Sequence, residues 1–560
     1  MEDSTCANEQ IRIASIDHLD ASPVIQPEGD MILRKPPYHS LELALQQDTT
    51  LTSNPAYESK AKRARLATDN VSCCSPDPTP IHTLPPEMLS LIFYFTLPPS
   101  CNPKDHLTVL SARTSSYPPI YMSFPEYPAD TLAHVCSSWR SIAISSHSLW
   151  THIDLSCDDE HYKQLLDRGE TYVARTGKLP LELHILDAYR SRGPTRDALQ
   201  PFLSRIAGRV GSLELCADPE LPLDGQPRHI LQGLFYGQPK ALTKFVMRYG
   251  LQMLTSDITY CGPKSCDASK RARDSLLNFP SRQIEDLLAP VKILHLYGVA
   301  PRWSSKAYCG LSDLRLSLSA YGMFIIDQSR FITILKSSPA LQILHFDLDI
   351  SLSSPMQDNV TPVDLPDLQV LKLSRSLLGG SGKRTWVEDF LPLLVPGAKP
   401  FHLWIDSQAD QHISAMQELE KFFARSKIVR FYYADRSGPP PINTILRHGS
   451  YLKVLLLHRQ GYECGGYPIP SNHLVKQVPQ MHLTSLHLIG YRIYVDFLRD
   501  MLDLCPGGVV LYNVPDVASG SVESPQPLSK QQLLDRFPAI RITHTATCDF
   551  PYPADWDIVD

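Results

Sequence analysis

The sequence lacks a long hydrophobic run and has no excess of charge of either sign. No stretch reaches the roughly 18 consecutive apolar residues of a membrane-spanning helix, so we expect no transmembrane segment. A formal net charge of −6 over 560 residues provides no concentrated basic surface for nucleic acid. The sequence starts with Met-Glu-Asp-Ser, which is acidic, and lacks the apolar segment of a signal peptide, so we expect none. We therefore expect a soluble protein of the cytoplasm, the nucleus or both, without nucleic-acid or membrane partners.

Cysteine pairs with CxxC spacing and catalytic motifs are also missing. The 13 cysteines contain no CxxC pair, which argues against a structural zinc site and a disulfide framework. Cys261 and Cys266 share a polar stretch without further ligands. Residues 379–385 resemble a phosphate-binding loop, but Leu377 and Arg384 replace the required Gly and the Ser or Thr. We therefore expect no catalytic activity, no cofactor and no metal ion.

Four histidines occupy similar places in candidate strands: His295, His345, His402 and His487. Such a series could line one face of a sheet as a metal-binding or pH-sensitive surface. Polar strand positions in repeated units accept many residue types, and we favour that simpler interpretation.

Residues 1–79 show little periodicity and are predicted to be a disordered tail. The tail contains a basic cluster at 60–65, which is either a nuclear-import signal or a solvated run of charge.

Two helical blocks follow, at 81–97 and 131–155. Pro85, Pro86 and Glu87 are typical of a first helical turn, and apolar residues then recur at helical spacing. The second block predicts one amphipathic helix over 131–145, a short element at 148–150 and a strand at 151–155. The Pro-, Ser- and Tyr-rich segment 98–129 between the blocks is predicted to be an inserted loop.

From about residue 180, short apolar strands recur, several with the pattern Leu-x-x-Leu-x-Leu. The predicted strands are 181–186, 212–216, 242–247, 291–297, 313–318, 341–348, 368–373, 401–405, 428–433, 452–457, 484–489, 509–512 and 540–543. Helical patterns separate them at 329–336, 386–394, 416–425, 442–447, 494–504 and 530–537. Successive strand starts differ by roughly 23–33 residues over 291–509, close to the period of leucine-rich repeats. Stacked strand–turn–helix units of this kind complete one another's cores as a solenoid.

The two helical blocks resemble the F-box in the divergent form found in mushroom-forming fungi. The matching residues are Leu84, Pro85, Pro86, Glu87, Ile92, Phe93, Val135, Cys136, Trp139, Arg140, Leu149 and Trp150. The resemblance implies an α/β protein in three parts: the tail 1–79, an F-box-like helical module at 80–155, and a leucine-rich-repeat solenoid at 156–560. It also implies a non-catalytic substrate receptor of a cullin–RING ubiquitin ligase.

In such a receptor the module would bind a Skp-type adaptor and thereby the cullin ligase core, and the repeats would bind an unidentified target protein. By the family pattern, the adaptor-binding residues would be Leu84, Pro85, Met88, Leu89, Ile92, Phe93, Val135 and Trp139. Alternatively, Leu89, Ile92 and Trp139 form the core of the module itself. A second function hypothesis is a repeat scaffold for protein interactions without ligase coupling.

Overall fold

The computed structural model describes most of the chain after residue 79. The described residues are 80–96, 128–156, 162–187, 195–217, 226–237, 241–249, 281–297, 300–317, 325–351, 361–374, 386–407, 413–435, 442–459, 483–512, 517–519 and 526–543. The predictions for the tail 1–79, the basic cluster 60–65 and most of the insertion 98–129 lie outside these residues. The same is true of Cys261, Cys266 and the loop 379–385.

The chain divides into two compact units, Met1–Thr83 and Leu84–Asp560. In the first unit the structure describes a single 3-10 turn, Pro80–Thr83. All other described elements belong to the second unit.

Fourteen strands of the second unit form one open, fully parallel sheet whose spatial order follows the sequence. They are β1 His152–Ser156, β2 Leu181–Asp187, β3 Val210–Ala217, β4 Lys244–Tyr249, β5 Ile293–Tyr297, β6 Asp313–Ser317, β8 Ile343–Asp347, β11 Val370–Ser374, β13 Phe401–Ser407, β14 Ile428–Asp435, β15 Val454–Arg459, β16 Ser485–Ile489, β18 Val509–Tyr512 and β21 Ile540–Thr543. Parallel neighbouring strands need a crossover connection, which returns the chain to the end of the sheet where the next strand begins.

Among the described residues, seven short strands form three small additional sheets. They are β7 Ile325–Asp327, β9 Asp349–Ser351, β10 Val363–Leu365, β12 Leu394–Pro396, β17 Ile493–Tyr494, β19 Val517–Ser519 and β20 Gln526–Pro527. The pairs are β7 with β9, β10 with β12, and β19 with both β17 and β20. The sequence analysis did not predict any of them.

The strand predictions for the main sheet are confirmed. The register between neighbouring strands is regular apart from a shift at Leu181/Glu182 in the β2–β3 pair and another at Phe401/His402 in the β13–β14 pair. In β8, Leu344 and Phe346 are buried, and they pair with Leu371 and Leu373 of β11. The same two apolar rows continue across the sheet and form its inner face. The intervening residues form the opposite, outer face, which carries a second, smaller buried cluster on the later strands.

Thirteen α-helices occur among the described residues. They are α1 Pro86–Thr96, α2 Pro128–Val135, α3 Ser137–Ser145, α4 Tyr162–Arg175, α5 Thr195–Ile206, α6 Gln226–Tyr236, α7 Ser281–Leu288, α8 Gln328–Lys336, α9 Trp386–Phe390, α10 Ile413–Arg425, α11 Ile442–His448, α12 Val495–Leu504 and α13 Lys530–Arg536. Short 3-10 turns are His147–Trp150, Ala207–Arg209, Lys306–Tyr308 and Leu391–Leu393. Apolar side chains of the helices share one core with the inner face of the sheet. Within the described part of the chain, no helix has the length and apolarity needed to cross a bilayer.

The single helix predicted over 131–145 is wrong, since the structure has two helices there. Cys136 separates α2 from α3 with an extended backbone, φ −156° and ψ 173°, and its Sγ accepts a bond from Trp139 N at 3.4 Å. Side-chain capping of this kind begins a new helix and redirects the chain. Arg140 Nε donates to Ala133 O at 2.9 Å and holds the two helices together. The strand predicted at 151–155 corresponds to β1. The expected boundary of the helical module, residue 155, therefore lies inside this strand.

Candidate functional site

Apolar side chains lie on nearly all sides of helix α1. Packing one face of the helix against the protein therefore leaves other apolar side chains in solvent. Pro86 occupies its first turn, where its missing N–H costs nothing, and the amides of Met88 and Leu89 donate to Pro85 O at 3.0 and 3.1 Å. Glu87 in the same turn complements the helix dipole. The helix then runs to Thr96 with few polar side chains, so its exposed surface must also be apolar.

One narrow face of α1 is buried against the neighbouring helices. Leu89 and Phe93, four residues apart, are 3% and 1% exposed. The Phe93 ring lies 4.8 Å from the Trp139 ring, centroid to centroid. Ser90 Oγ lies 2.8 Å from Ser146 Oγ beyond the end of α3. These contacts fix which way α1 faces.

The opposite face of α1 is apolar and open to solvent. Met88, Leu91, Ile92 and Phe95 are 47%, 48%, 37% and 74% exposed. They stand at positions i, i+3, i+4 and i+7, the spacing that places side chains on one side of a helix. We call these four residues the α1 apolar face. Tyr94 lies beside them and is 53% exposed.

Two further apolar residues of the same helical group are exposed. Val135, at the end of α2, is 56% exposed, and Ile144 of α3 is 40% exposed. Trp139 is half-buried, and its buried Nε1 finds no hydrogen-bond partner among the described residues. The helices 84–150 therefore present several large apolar side chains that the described chain does not cover.

The structure divides the eight sequence-predicted adaptor-binding residues by exposure. Pro85, Met88, Ile92 and Val135 are exposed, Leu84 and Trp139 are half-buried, and Leu89 and Phe93 are buried. The buried pair can act on a partner only by positioning α1. The sequence analysis missed Leu91, Tyr94, Phe95 and Ile144 as surface residues. The i, i+3, i+4, i+7 spacing from Met88 was the signal that could have identified two of them.

The outer face of the sheet is a second surface with concentrated side-chain chemistry, and its first strands carry charged groups. A row of residues in register begins with Asp154, His184 and Glu214 on β1, β2 and β3. Arg248 Nε donates to Glu214 at 3.2 Å, and its guanidinium lies 4.4 Å above the Tyr297 ring. Among the described residues, one group of three offers metal-ligand atoms within 4.8 Å of one another: His152, Asp154 and His184.

His295, singled out from the sequence, lies on this outer face with Asp313. Its Nε2 lies 2.9 Å from Asp313 Oδ2, which also accepts from Arg315 at 3.0 Å. Burial by itself raises the pKa of Asp313, but the His295 ring and the Arg315 guanidinium outweigh it and lower the pKa to about 2. Burial lowers the pKa of His295, against the opposing effect of the Asp313 carboxylate.

The other three histidines of the series also lie on the outer face, in two rows. His345 and His487 belong to the row of Asp154 and His184, whereas His402 is in register with Arg430 one row earlier. The sequence therefore predicted the right relative position for His295, His345 and His487. His402 lies two residues before the position of their row in its own strand.

The later strands carry an aromatic cluster on the outer face. The Trp404 ring stacks on Tyr432 at 3.6 Å, and Lys372 Nζ lies 4.1 Å from the Trp404 ring centre. Tyr432 Oη and His458 Nδ1 are 2.6 Å apart. Burial lowers the pKa of His458 to about 4, so the ring is neutral at pH 7.

Comparison with known proteins does not add to this picture. No protein-family model matches the chain, and no curated protein matches it in sequence.

Proposed function

We propose that the chain is the substrate-recognition subunit of an SCF-type cullin–RING ubiquitin ligase. Helices 84–150 act as a divergent F-box that binds a Skp-type adaptor. The strand–helix units that follow form a leucine-rich-repeat solenoid that binds the target protein. In this role the chain is not an enzyme and works in the cytoplasm, the nucleus or both.

The α1 apolar face is the observation that carries the proposal. Four large apolar side chains in solvent on one side of a helix of eleven residues favour a protein partner that covers them. The face also contains Met88 and Ile92, to which the F-box resemblance assigns adaptor contact. Exposed aromatic and large apolar anchors such as Phe95 supply much of the binding energy in interfaces of this kind.

The main sheet supports the second half of the proposal. Its strands are parallel and lie side by side in sequence order, as in a stack of repeats. On its outer face, the Trp404–Tyr432 stack of the later strands is buried, at 7% and 0% exposed, so the target would bind to other parts of the repeats.

The test is complex formation between the full chain and a Skp-type adaptor, measured by size-exclusion chromatography and isothermal titration calorimetry. Ile92→Asp on the α1 apolar face should weaken the affinity at least about 10-fold, because it buries a charge at the interface. Leu179→Asp is the matched control, since Leu179 is 39% exposed and Ile92 37%. The control should bind the adaptor like the unaltered chain.

Absence of a complex with the unaltered chain would contradict the ligase role. Equal weakening by Ile92→Asp and Leu179→Asp would remove α1 as the docking site. If the adaptor does not bind while the sheet segment still captures a protein partner, the chain is a repeat scaffold without ligase coupling.

A further inference from the structure

We propose that His152, Asp154 and His184 form a binding site for a divalent transition-metal ion, best suited to zinc, at the first edge of the main sheet. The site is independent of the proposed function and lies on the outer face of the sheet. Two imidazoles and one carboxylate are the ligand types that zinc takes when it keeps a fourth position open. Hard cations such as Mg²⁺ and Ca²⁺ prefer oxygen ligands alone.

Two of the three distances between the ligand atoms are close to those around a tetrahedral ion. One oxygen of Asp154, Oδ1, lies 3.1 Å from His152 Nε2 and 3.6 Å from His184 Nδ1. Zinc bonds of about 2.0–2.1 Å place tetrahedral ligands about 3.3 Å apart, between these two values. The two imidazole rings meet edge to face with centroids 4.4 Å apart. All three ligand atoms lie within 4.8 Å of one another, so the rings would have to move to bring them around one ion.

Each histidine also has a carboxylate on its far side. His152 Nδ1 lies 3.5 Å from Glu182 Oε2, and His184 Nε2 lies 4.0 Å from Glu214 Oε2. In metal sites, the ring nitrogen that does not bind the ion typically faces a carboxylate, which fixes the tautomer and the ring orientation. Here both histidines have one nitrogen towards Asp154 and the other towards a glutamate, so the arrangement is repeated on two adjacent strands.

The position of the group allows an ion to enter. β1 is the terminal strand of the sheet, and the His152 side chain is 26% exposed. Asp154 and His184 lie deeper, with side chains 13% and 9% exposed. A small ion can therefore reach the ligands from the solvent at the edge, and a water molecule can complete its coordination.

The register of the strands produces this site. Asp154 stands directly opposite His184, and His152 directly opposite Glu182. An ion held there ties the edge strand β1, which directly follows the helices 84–150, to β2. Because the unfolded chain cannot hold these ligands together, the ion stabilises the folded protein in proportion to its affinity.

The experiment uses the full chain without a histidine tag, titrated with Zn²⁺ by calorimetry and with Co²⁺ by visible spectroscopy. We expect one ion per chain, a tetrahedral cobalt spectrum without a thiolate charge-transfer band, and an increase in melting temperature on adding Zn²⁺. The cobalt spectrum matters because the chain has 13 cysteines that could also hold the ion. A thiolate band would place the ion on the cysteines and overturn the proposal.

Substitutions then locate the ion. His152→Gln and His184→Gln should each abolish the tetrahedral cobalt spectrum, and Glu182→Gln should weaken the affinity roughly 10–100-fold. His295→Gln is the matched control, because His295 faces the single carboxylate of Asp313 on the same face. The control should bind the ion like the unaltered chain.

His152 lies at the partly exposed edge, so His152→Gln decides the question even if the more buried His184→Gln does not fold. Circular dichroism confirms the fold of each variant. No binding by the folded, unaltered chain, or equal binding after His152→Gln, would show that the group is only a hydrogen-bonded network.

Discussion

The helices 84–150 expose many of their large apolar side chains, whereas the sheet segment 151–543 buries nearly all of those that are described. In the described residues of the helices, seven such side chains are exposed: Met88, Leu91, Ile92, Tyr94, Phe95, Val135 and Ile144. In the much longer described part of the sheet segment, three are exposed: Leu179, Tyr236 and Tyr451. The two regions nevertheless share one hydrophobic core.

The difference follows from how each region completes its core. A strand–helix unit is covered by the next unit, so its apolar positions stay inside along the whole series. The helices 84–150 stand before the first strand and have one covered side only. Their remaining apolar surface stays in solvent, and it is this surface that the proposed adaptor would cover.

Trp150 joins the two regions, and its removal should have the largest effect. It is fully buried, its Nε1 donates to Ala143 O at 2.8 Å, and its ring meets Tyr172 of α4 at 5.0 Å. Trp150→Ala should lower the free energy of unfolding by about 3–5 kcal/mol. Urea unfolding followed by circular dichroism measures it.

Trp150→Phe keeps a ring against Tyr172 and should cost less than Trp150→Ala. If Trp150→Ala leaves the main transition unchanged and creates a separate early transition, the two regions do not share one cooperative core and unfold as independent domains.

The sheet segment also buries a titratable group that acid can charge. Because the pKa of His458 is lowered from 6.5 to about 4, the unfolded chain binds its proton first as the pH falls. The stabilisation is complete above pH 6.5 and is lost progressively towards pH 4, by about 3 kcal/mol in total. Urea unfolding at pH 7 and pH 4 measures this loss.

His458→Gln keeps a polar partner for Tyr432 and removes the titration. Its stability should fall less between pH 7 and pH 4, by about 3 kcal/mol, than that of the unaltered chain. An equal loss in both proteins would show that the acid sensitivity arises elsewhere.

The strands of the main sheet could be predicted from the sequence because their pattern repeats. Leu341, Leu344 and Phe346 show the relation plainly, since all three are at most 1% exposed in the structure. A residue three or five positions after the first leucine has the same environment in each unit. Local periodicity therefore located the strands without any knowledge of their neighbours.

The contacts between strands could not be predicted in the same way. His152 and His184 meet because the register pairs Asp154 with His184, and that register depends on the packing of the intervening helix α4. The exposed face of α1 could not be predicted from the sequence for the same reason. Its sequence is apolar all round, and the packing of Phe93 on Trp139 decides that Met88 and Phe95 face outward.

At Gly508, the backbone of the sheet segment leaves no room for a methyl group. Gly508 has φ +93°, and a Cβ there would lie 2.5 Å from Ala539 O at the next strand. Gly508→Ala should therefore cost at least about 1–2 kcal/mol in urea unfolding. Gly208→Ala is the control, because no atom lies within 4 Å of a Cβ there. The control should be neutral or slightly stabilising, and equal costs would show that close stacking is not the cause.

The smallest expected effect concerns Phe95, and it tests the comparison most directly. Phe93 and Phe95 lie two residues apart in α1, yet they are 1% and 74% exposed. Phe93→Ala should lower the free energy of unfolding by about 3–5 kcal/mol, because it leaves a cavity beside Trp139. Phe95→Ala should change it by less than about 0.5 kcal/mol, since it removes no contact in the core.

Urea unfolding of the two variants under the same conditions measures this pair. A loss of more than about 1 kcal/mol for Phe95→Ala would mean that this chain itself covers the α1 apolar face, because exposed side chains rarely cost that much. The apolar surface would then be part of the protein's own core, and the case for an adaptor on α1 would fail. A negligible loss of unfolding free energy would show that Phe95 does not stabilise the isolated chain. This is the result expected if its side chain contacts a partner instead.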